Sequence, residues 1–207
     1  MIIKTNMKKA ILILLFVGGL GSFAKAQLLS PGLELGYGGF TPPVLSGDAK
    51  TRQAFFSDGI QGSQTVTSTG AFHAALTAKV WRVTLGVEGS YEAVMVRNVF
   101  GVPGGLPGEV KASSRYWTAM ARMQWNYANI AGRLKLYGGL AAGVYGVTSV
   151  LKENNSNSNP DHSTSGSGFA YQLTGVGASI GGKIAFFLEG GYGYLGIVNG
   201  GVRFKLK

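Results

Sequence analysis

Two histidines are the first residues to weigh for chemistry. His162 lies between Asp161 and Ser163 in an Asn/Ser-rich stretch, which assembles the residue types of a hydrolytic triad. Adjacency does not make a triad, because the base must be held on a rigid frame within reach of its nucleophile. No catalytic residue is expected there, and the chain does not read as an enzyme. His73 shares parity with Thr77 and Lys79 and is expected to make an ordinary interior hydrogen bond. The two histidines are far apart, and no carboxylates stand at ligand spacing, so no metal is expected. The chain has no cysteine, which excludes disulfides, thiolate metal sites and cysteine nucleophiles. The glycine-rich stretches at Gly101 to Gly108 and Gly190-Gly191-Tyr192-Gly193 lack the Gly-Lys-Ser/Thr of a phosphate loop. They read as turns and bends, and no cofactor is implied.

A second set of residues is more informative. Glu34, Lys79, Glu88, Arg122, Lys135, Glu189 and Arg203 all fall on the polar side of stretches whose polarity alternates with period two, as do Arg82, Glu92 and Lys205. Charges held inside a narrow fold must pair, since an unpaired buried ion costs several kcal/mol. Arg203 near the chain end is expected to meet Glu34 near its start, where a closed sheet would seal. Arg122 is expected to reach Glu88, and Lys79 to sit between the strands of Glu34 and Glu88. Together they predict a salt-bridge plug.

Eight alternating stretches must position these groups: Leu33–Phe40, Gly70–Val80, Arg82–Arg97, Arg115–Tyr127, Arg133–Val150, Gly168–Ile180, Lys183–Tyr192 and Gly196–Leu206. In the third, Val83, Leu85, Val87, Tyr91 and Met95 oppose Arg82, Thr84, Glu88 and Glu92. In the fourth, Trp117, Met123, Trp125 and Tyr127 oppose Thr118, Arg122, Gln124 and Asn126. The sixth is ambiguous, because Gln172 and Thr174 share parity with Val176 and Ile180. Connections alternate long and short, with tight turns at Trp81 and Gly181-Gly182 and a short last connection around Gly193 to Leu195. An eight-stranded antiparallel up-and-down β-barrel follows, apolar side out and polar side in, the pattern of a transmembrane barrel. Trp81, Trp117, Trp125 and Tyr127 fall near strand ends on the apolar side, as an interfacial aromatic girdle would.

Composition agrees. Glycine makes up 34 of 207 residues, more than twice the usual ~7%, and only 14% of residues are charged against ~25% in soluble domains. Residues 1–26 read as a secretory signal peptide, with Lys4, Lys8 and Lys9 before an apolar run and Ala24-Lys25-Ala26 as the cleavage site. The barrel domain then covers 27–207. Without the four signal lysines the formal charge falls from +10 to +6, 15 basic against 9 acidic residues. Those bases form no stripe, so nucleic acid is not an expected partner.

The signal, the runs Leu136-Tyr137-Gly138-Gly139-Leu140 and Phe187-Leu188-Glu189-Gly190-Gly191-Tyr192, and the closing Val202-Arg203-Phe204 carry a resemblance. The chain resembles the small outer-membrane β-barrel families typified by the OmpA transmembrane domain and OmpX, and the outer membrane protein beta-barrel domain proteins common in Bacteroidetes. Such proteins often end in an aromatic residue, whereas this chain ends Phe204-Lys205-Leu206-Lys207. The resemblance implies a monomer in the cell outer membrane, in contact with its lipid and lipopolysaccharide. Lys50, Arg52, Arg97, Lys111, Arg115 and Lys152 would face the outer head groups. Phe55 and Phe56, in the first long loop, are the candidate contact for an extracellular partner. The expected role is structural or loop-mediated. A low-conductance channel is the alternative, with a soluble exported ligand-binding barrel and a lipid A-modifying enzyme behind it.

Overall fold

A computed structural model describes residues 30–41, 62–100, 108–153 and 162–206. It is all-β, with no helix among the described residues. The strands are β1 (Ser30–Gly39), β2 (Gly62–Ser68), β3 (Ala71–Val80), β4 (Val83–Phe100), β5 (Gly108–Ile130), β6 (Leu134–Glu153), β7 (His162–Gly181), β8 (Ile184–Gly193) and β9 (Val198–Lys205). Eight of them pair antiparallel with their neighbours, and β9 returns to β1, so the sheet closes into a ring. The short β2 continues β3 along β4 past a break at Thr69-Gly70, where Gly70 takes φ +70°.

The ring closes with a stagger. In register, Glu34 leads through Ala75, Glu88, Met120 and Gly143 to Ala170 on β7. In the other direction it leads through Arg203 and Ala185 to Gly181. The two paths meet on β7 eleven residues apart, ten once the bulge residue Gly175 is discounted. Eight strands with that stagger tilt by roughly 40° from the axis and leave an interior that side chains fill.

Three differences from the sequence reading have local causes. The expected long loops at Asn98–Ser114 and Leu151–Ser167 are shorter, because β4 and β6 run on to Phe100 and Glu153, β5 starts at Gly108, and β7 starts at His162 with Ser, Thr and Gly residues whose polarity does not alternate. His162 accordingly opens β7 rather than lying in a loop. The sixth stretch changes parity at Gly175. There Gly175 and Val176 oppose Gly138 of β6, and the inward positions change from Ala170, Gln172 and Thr174 to Gly177 and Ser179. Such a bulge, one residue too many in a strand, is a regular device of barrel walls.

Polarity is inverted relative to a soluble barrel. Glu34, Glu88, Glu92, Arg122, Gln124, Gln172, Glu189 and Asn199 are buried in the lumen, while Leu76, Leu85, Val144, Phe169, Leu173, Phe186 and Leu188 stand exposed on the outer face. A small apolar layer of Met120, Ala141, Ala170 and Leu195, joined by Tyr145 and Tyr194, fills the lumen towards the long-loop end. Tyr145 and Tyr194 stack at 4.9 Å. The turn between β8 and β9 folds inward over this layer, held by Gln172, which accepts from the Leu195 amide at 2.9 Å and donates to the Gly196 carbonyl at 3.1 Å.

Candidate functional site: the lumen ion network

Period-two alternation turns Glu34 of β1, Glu88 of β4, Arg122 of β5, Glu189 of β8 and Arg203 of β9 inward, and the stagger brings them to one depth. Arg122 is the centre. Its Nη1 donates to Glu34 Oε1 at 2.5 Å and to Glu88 Oε2 at 3.2 Å, and its Nη2 donates to Glu189 Oε1 at 2.5 Å. Arg203 Nε donates to the other oxygen of Glu34 at 2.6 Å, across the seam where β9 meets β1. Its guanidinium lies between the rings of Tyr137 and Phe187, at 4.9 and 5.0 Å, so cation–π attraction adds to the ion pair.

Glu189 gathers the neutral donors. Gln124 and Tyr137 donate to its Oε1 at 3.0 and 2.9 Å, and Asn199 donates to its Oε2 at 3.1 Å. Because Asn199 gives its amide hydrogens to Glu189, its carbonyl oxygen faces His73 Nε2 at 2.8 Å. That requires the hydrogen of a neutral His73 to sit on Nε2, leaving Nδ1 as an acceptor. Among the described residues, His73 Nδ1 and Glu88 Oε1 are buried without a hydrogen-bond partner. Close approach across the lumen depends on glycine: a side chain at Gly177 would meet the Tyr137 ring, and one at Gly36 the His73 ring.

Three carboxylates against two guanidiniums leave one formal negative charge in this layer. Buried ions of this kind fix a unique arrangement when every member is satisfied, and are costly when one is removed. Apart from Glu88 Oε1 and His73 Nδ1 the buried polar groups of this layer are paired, so what the arrangement does is hold the strands of the ring to one another. Among the described residues no group of three or more His, Cys, Asp or Glu is arranged to hold a metal.

The structure brings together Glu34, Glu88, Arg122, Glu189 and Arg203. It does not place Lys79 and Lys135 with them. Both lie at the tight-turn end, where Lys79 is opposite Ser30 and Lys135 opposite Ser179, and they line a separate cleft with Lys205. Parity had put them on the right face, and the stagger of the ring set them at the wrong depth. Glu92 makes its own buried site, accepting from Thr41 at 2.7 Å and from Ser68 at 2.6 Å. Arg82 is exposed on the first tight turn, 5.2 Å from the Trp81 ring. Sequence reasoning missed Gln124, Tyr137, Thr174 and Asn199 as partners. The inward parity of Gln124 and Asn199 was visible and that of Thr174 ambiguous, but the convergence of all four on Glu189 follows from the stagger.

Trp81, Trp117, Trp125 and Tyr127 are all exposed on the outer face, Trp81 the most at 79%. Trp117 stands directly opposite Tyr91, and a side chain at Gly146 would meet its ring. Tyr127 is the bulged residue of β5. Phe55 and Phe56 lie outside the described residues, as do the signal-like segment and Lys50 and Arg52. No family model matches the chain, and no curated protein matches it.

Proposed function

We propose that this chain is an integral outer-membrane β-barrel protein with a plugged polar lumen and a structural or loop-mediated interaction role. One observation carries the reading: the ring is inverted, with charge in the lumen and an exposed apolar belt on every strand of the closed sheet. A water-soluble barrel would gain nothing from exposing Phe169 at 68%, Phe186 at 65% and Leu188 at 61% while burying Glu34 at 0%. In a bilayer both choices are favourable.

The aromatic spacing supports it. Trp117 and Trp125 are eight residues apart on β5, and Tyr127 lies two further. At a rise of about 3.4 Å per residue and a tilt of roughly 40°, those spacings correspond to heights of about 21 and 26 Å. The apolar band of outer-membrane barrels is about 25 Å tall. Arg97, Lys111 and Arg115 are exposed on β4 and β5 beyond Trp117, on the long-loop side, where lipid phosphates would meet them. Residues 1–26 would direct export, and 27–207 form the barrel domain.

The test is reconstitution. Protein refolded into vesicles should float with them after a carbonate wash, and its gel mobility should shift on heating. In a planar bilayer it should be silent above detergent controls. Protein that stays in the aqueous fraction would overturn the membrane reading. Steady openings would overturn the plug and make the chain a low-conductance channel.

A further inference from the structure

Below the ion network, at the tight-turn end, the lumen opens into a small cleft, with a cavity volume of about 60 Å3, that the plug does not use. Lys79, Lys135, Lys205 and Arg203 line it, with the hydroxyls of Thr77, Thr84 and Ser179 and the Asn126 side chain between them. The strongest charged neighbours of Lys135 are Lys205, Lys79 and Arg203, and that of Lys79 is Lys205; all are positive. Among the described residues no carboxylate pairs with Lys79, Lys135 or Lys205. The three tight turns around the mouth add Arg82, Arg133 and Lys183, one cation each. The buried carboxylates lie elsewhere: Glu34, Glu88 and Glu189 in the ion network, and Glu92 at its own site.

Ammonium groups crowded into one cleft repel one another, and no carboxylate among the described residues offsets that. Arg203 already spends its Nε on Glu34, so it closes the cleft floor and leaves the three lysines for a ligand. The lysines and hydroxyls can all donate, which suits an oxyanion of more than one charge and several acceptor oxygens, while Asn126 gives its amide hydrogens to the Arg82 carbonyl. A monovalent carboxylate would satisfy only one of the lysines. The floor is the salt-bridge layer, so the cleft ends blind: it is shaped to hold an anion rather than pass it. The outer ring of turn cations would focus the field and draw anions to the mouth.

We propose that this cleft is a binding site for a phosphoryl dianion, either free or as the terminal group of a larger molecule. The proposal does not depend on the membrane reading, since the cleft belongs to the ring itself. The first experiment is calorimetric titration of the refolded full chain, in zwitterionic micelles at low salt, with sodium pyrophosphate and with sodium acetate as the monovalent comparison. Pyrophosphate should bind with one-site stoichiometry and acetate far more weakly. Lys135→Met should weaken pyrophosphate about tenfold, as loss of one close charge pair would. Lys135→Arg should restore most of it, and Lys79→Met and Lys205→Met should each act in the same direction. Retained heat-dependent gel mobility shows that each variant is folded. In nanodiscs, displacement of pyrophosphate by phosphatidate would identify a lipid headgroup as the source of the phosphoryl group. Retention would identify a soluble ligand, and either supports the site. No binding, equal binding of acetate, or affinity unchanged in all three methionine variants would overturn it.

Discussion

Exchange of Arg122 for methionine isolates the centre of the lumen network. Methionine keeps an unbranched stem and removes the guanidinium. Glu88 then loses its one cation, at 3.2 Å, and Glu189 its nearest, at 2.5 Å, while Glu34 keeps Arg203 at 2.6 Å. Removing one partner of a buried ion pair costs about 3–5 kcal/mol, because the other charge stays out of water. With a urea slope of roughly 2 kcal/mol per M, the unfolding midpoint should fall by about 2 M. Equilibrium urea unfolding in phospholipid vesicles, followed by fluorescence of Trp81, Trp117 and Trp125, measures it. Two companions sharpen the reading. The double variant Arg122→Met/Glu88→Gln should recover part of the loss, since the two side chains are coupled. Acidification should narrow the gap to the parent, because protons neutralise the orphaned carboxylates in the variant while the same protons remove ion pairs in the parent. An unchanged midpoint would refute the reasoning and mean that these carboxylates find water or other partners in the lumen.

Other outcomes follow from the same geometry. Tyr137→Phe removes the hydroxyl that donates to Glu189 at 2.9 Å and accepts from Arg203 at 3.1 Å, and should cost about 1–3 kcal/mol in the same unfolding assay. Gly177→Val would press on the Tyr137 ring and should lower the stability by about 1–3 kcal/mol, with little effect when combined with Tyr137→Ala. Variants keeping Trp117 or Trp125 as the sole tryptophan should be quenched by lipid probes near the head groups and spared by probes at the bilayer centre; strong quenching at the centre would contradict the girdle.

Much of the wall was legible because β3, β4, β5 and β9 alternate cleanly, and alternation names both the strand and its inward residues. The pair Glu34–Arg203 could be read from the chain as well, since the first and last strands of a closed sheet must meet. What the sequence did not carry was height. Arg122 reaches Glu34 across the lumen because the ring closes with a stagger, which is a property of all eight strands and is written in no one of them. For the same reason Lys79 and Lys135, right in parity, were assigned to the network when they line the mouth. The upper end of β7 was hidden differently. From His162 to Gly168 it is mostly Ser, Thr and Gly, which leave no alternation of polarity to read.

Gly175 has a consequence for how this wall can change over time. It acts as a phase slip: below it β7 presents one parity to the lumen, and above it the other. Losing that one residue would hardly shorten the strand, but it would turn half of it inside out, exchanging Leu173, Tyr171 and Phe169 with Thr174, Gln172 and Ala170. Insertions and deletions in this strand are therefore a question of odd and even rather than of length. Two residues gained or lost together above the slip would leave the lumen facing inward, whereas one would turn apolar rings into it.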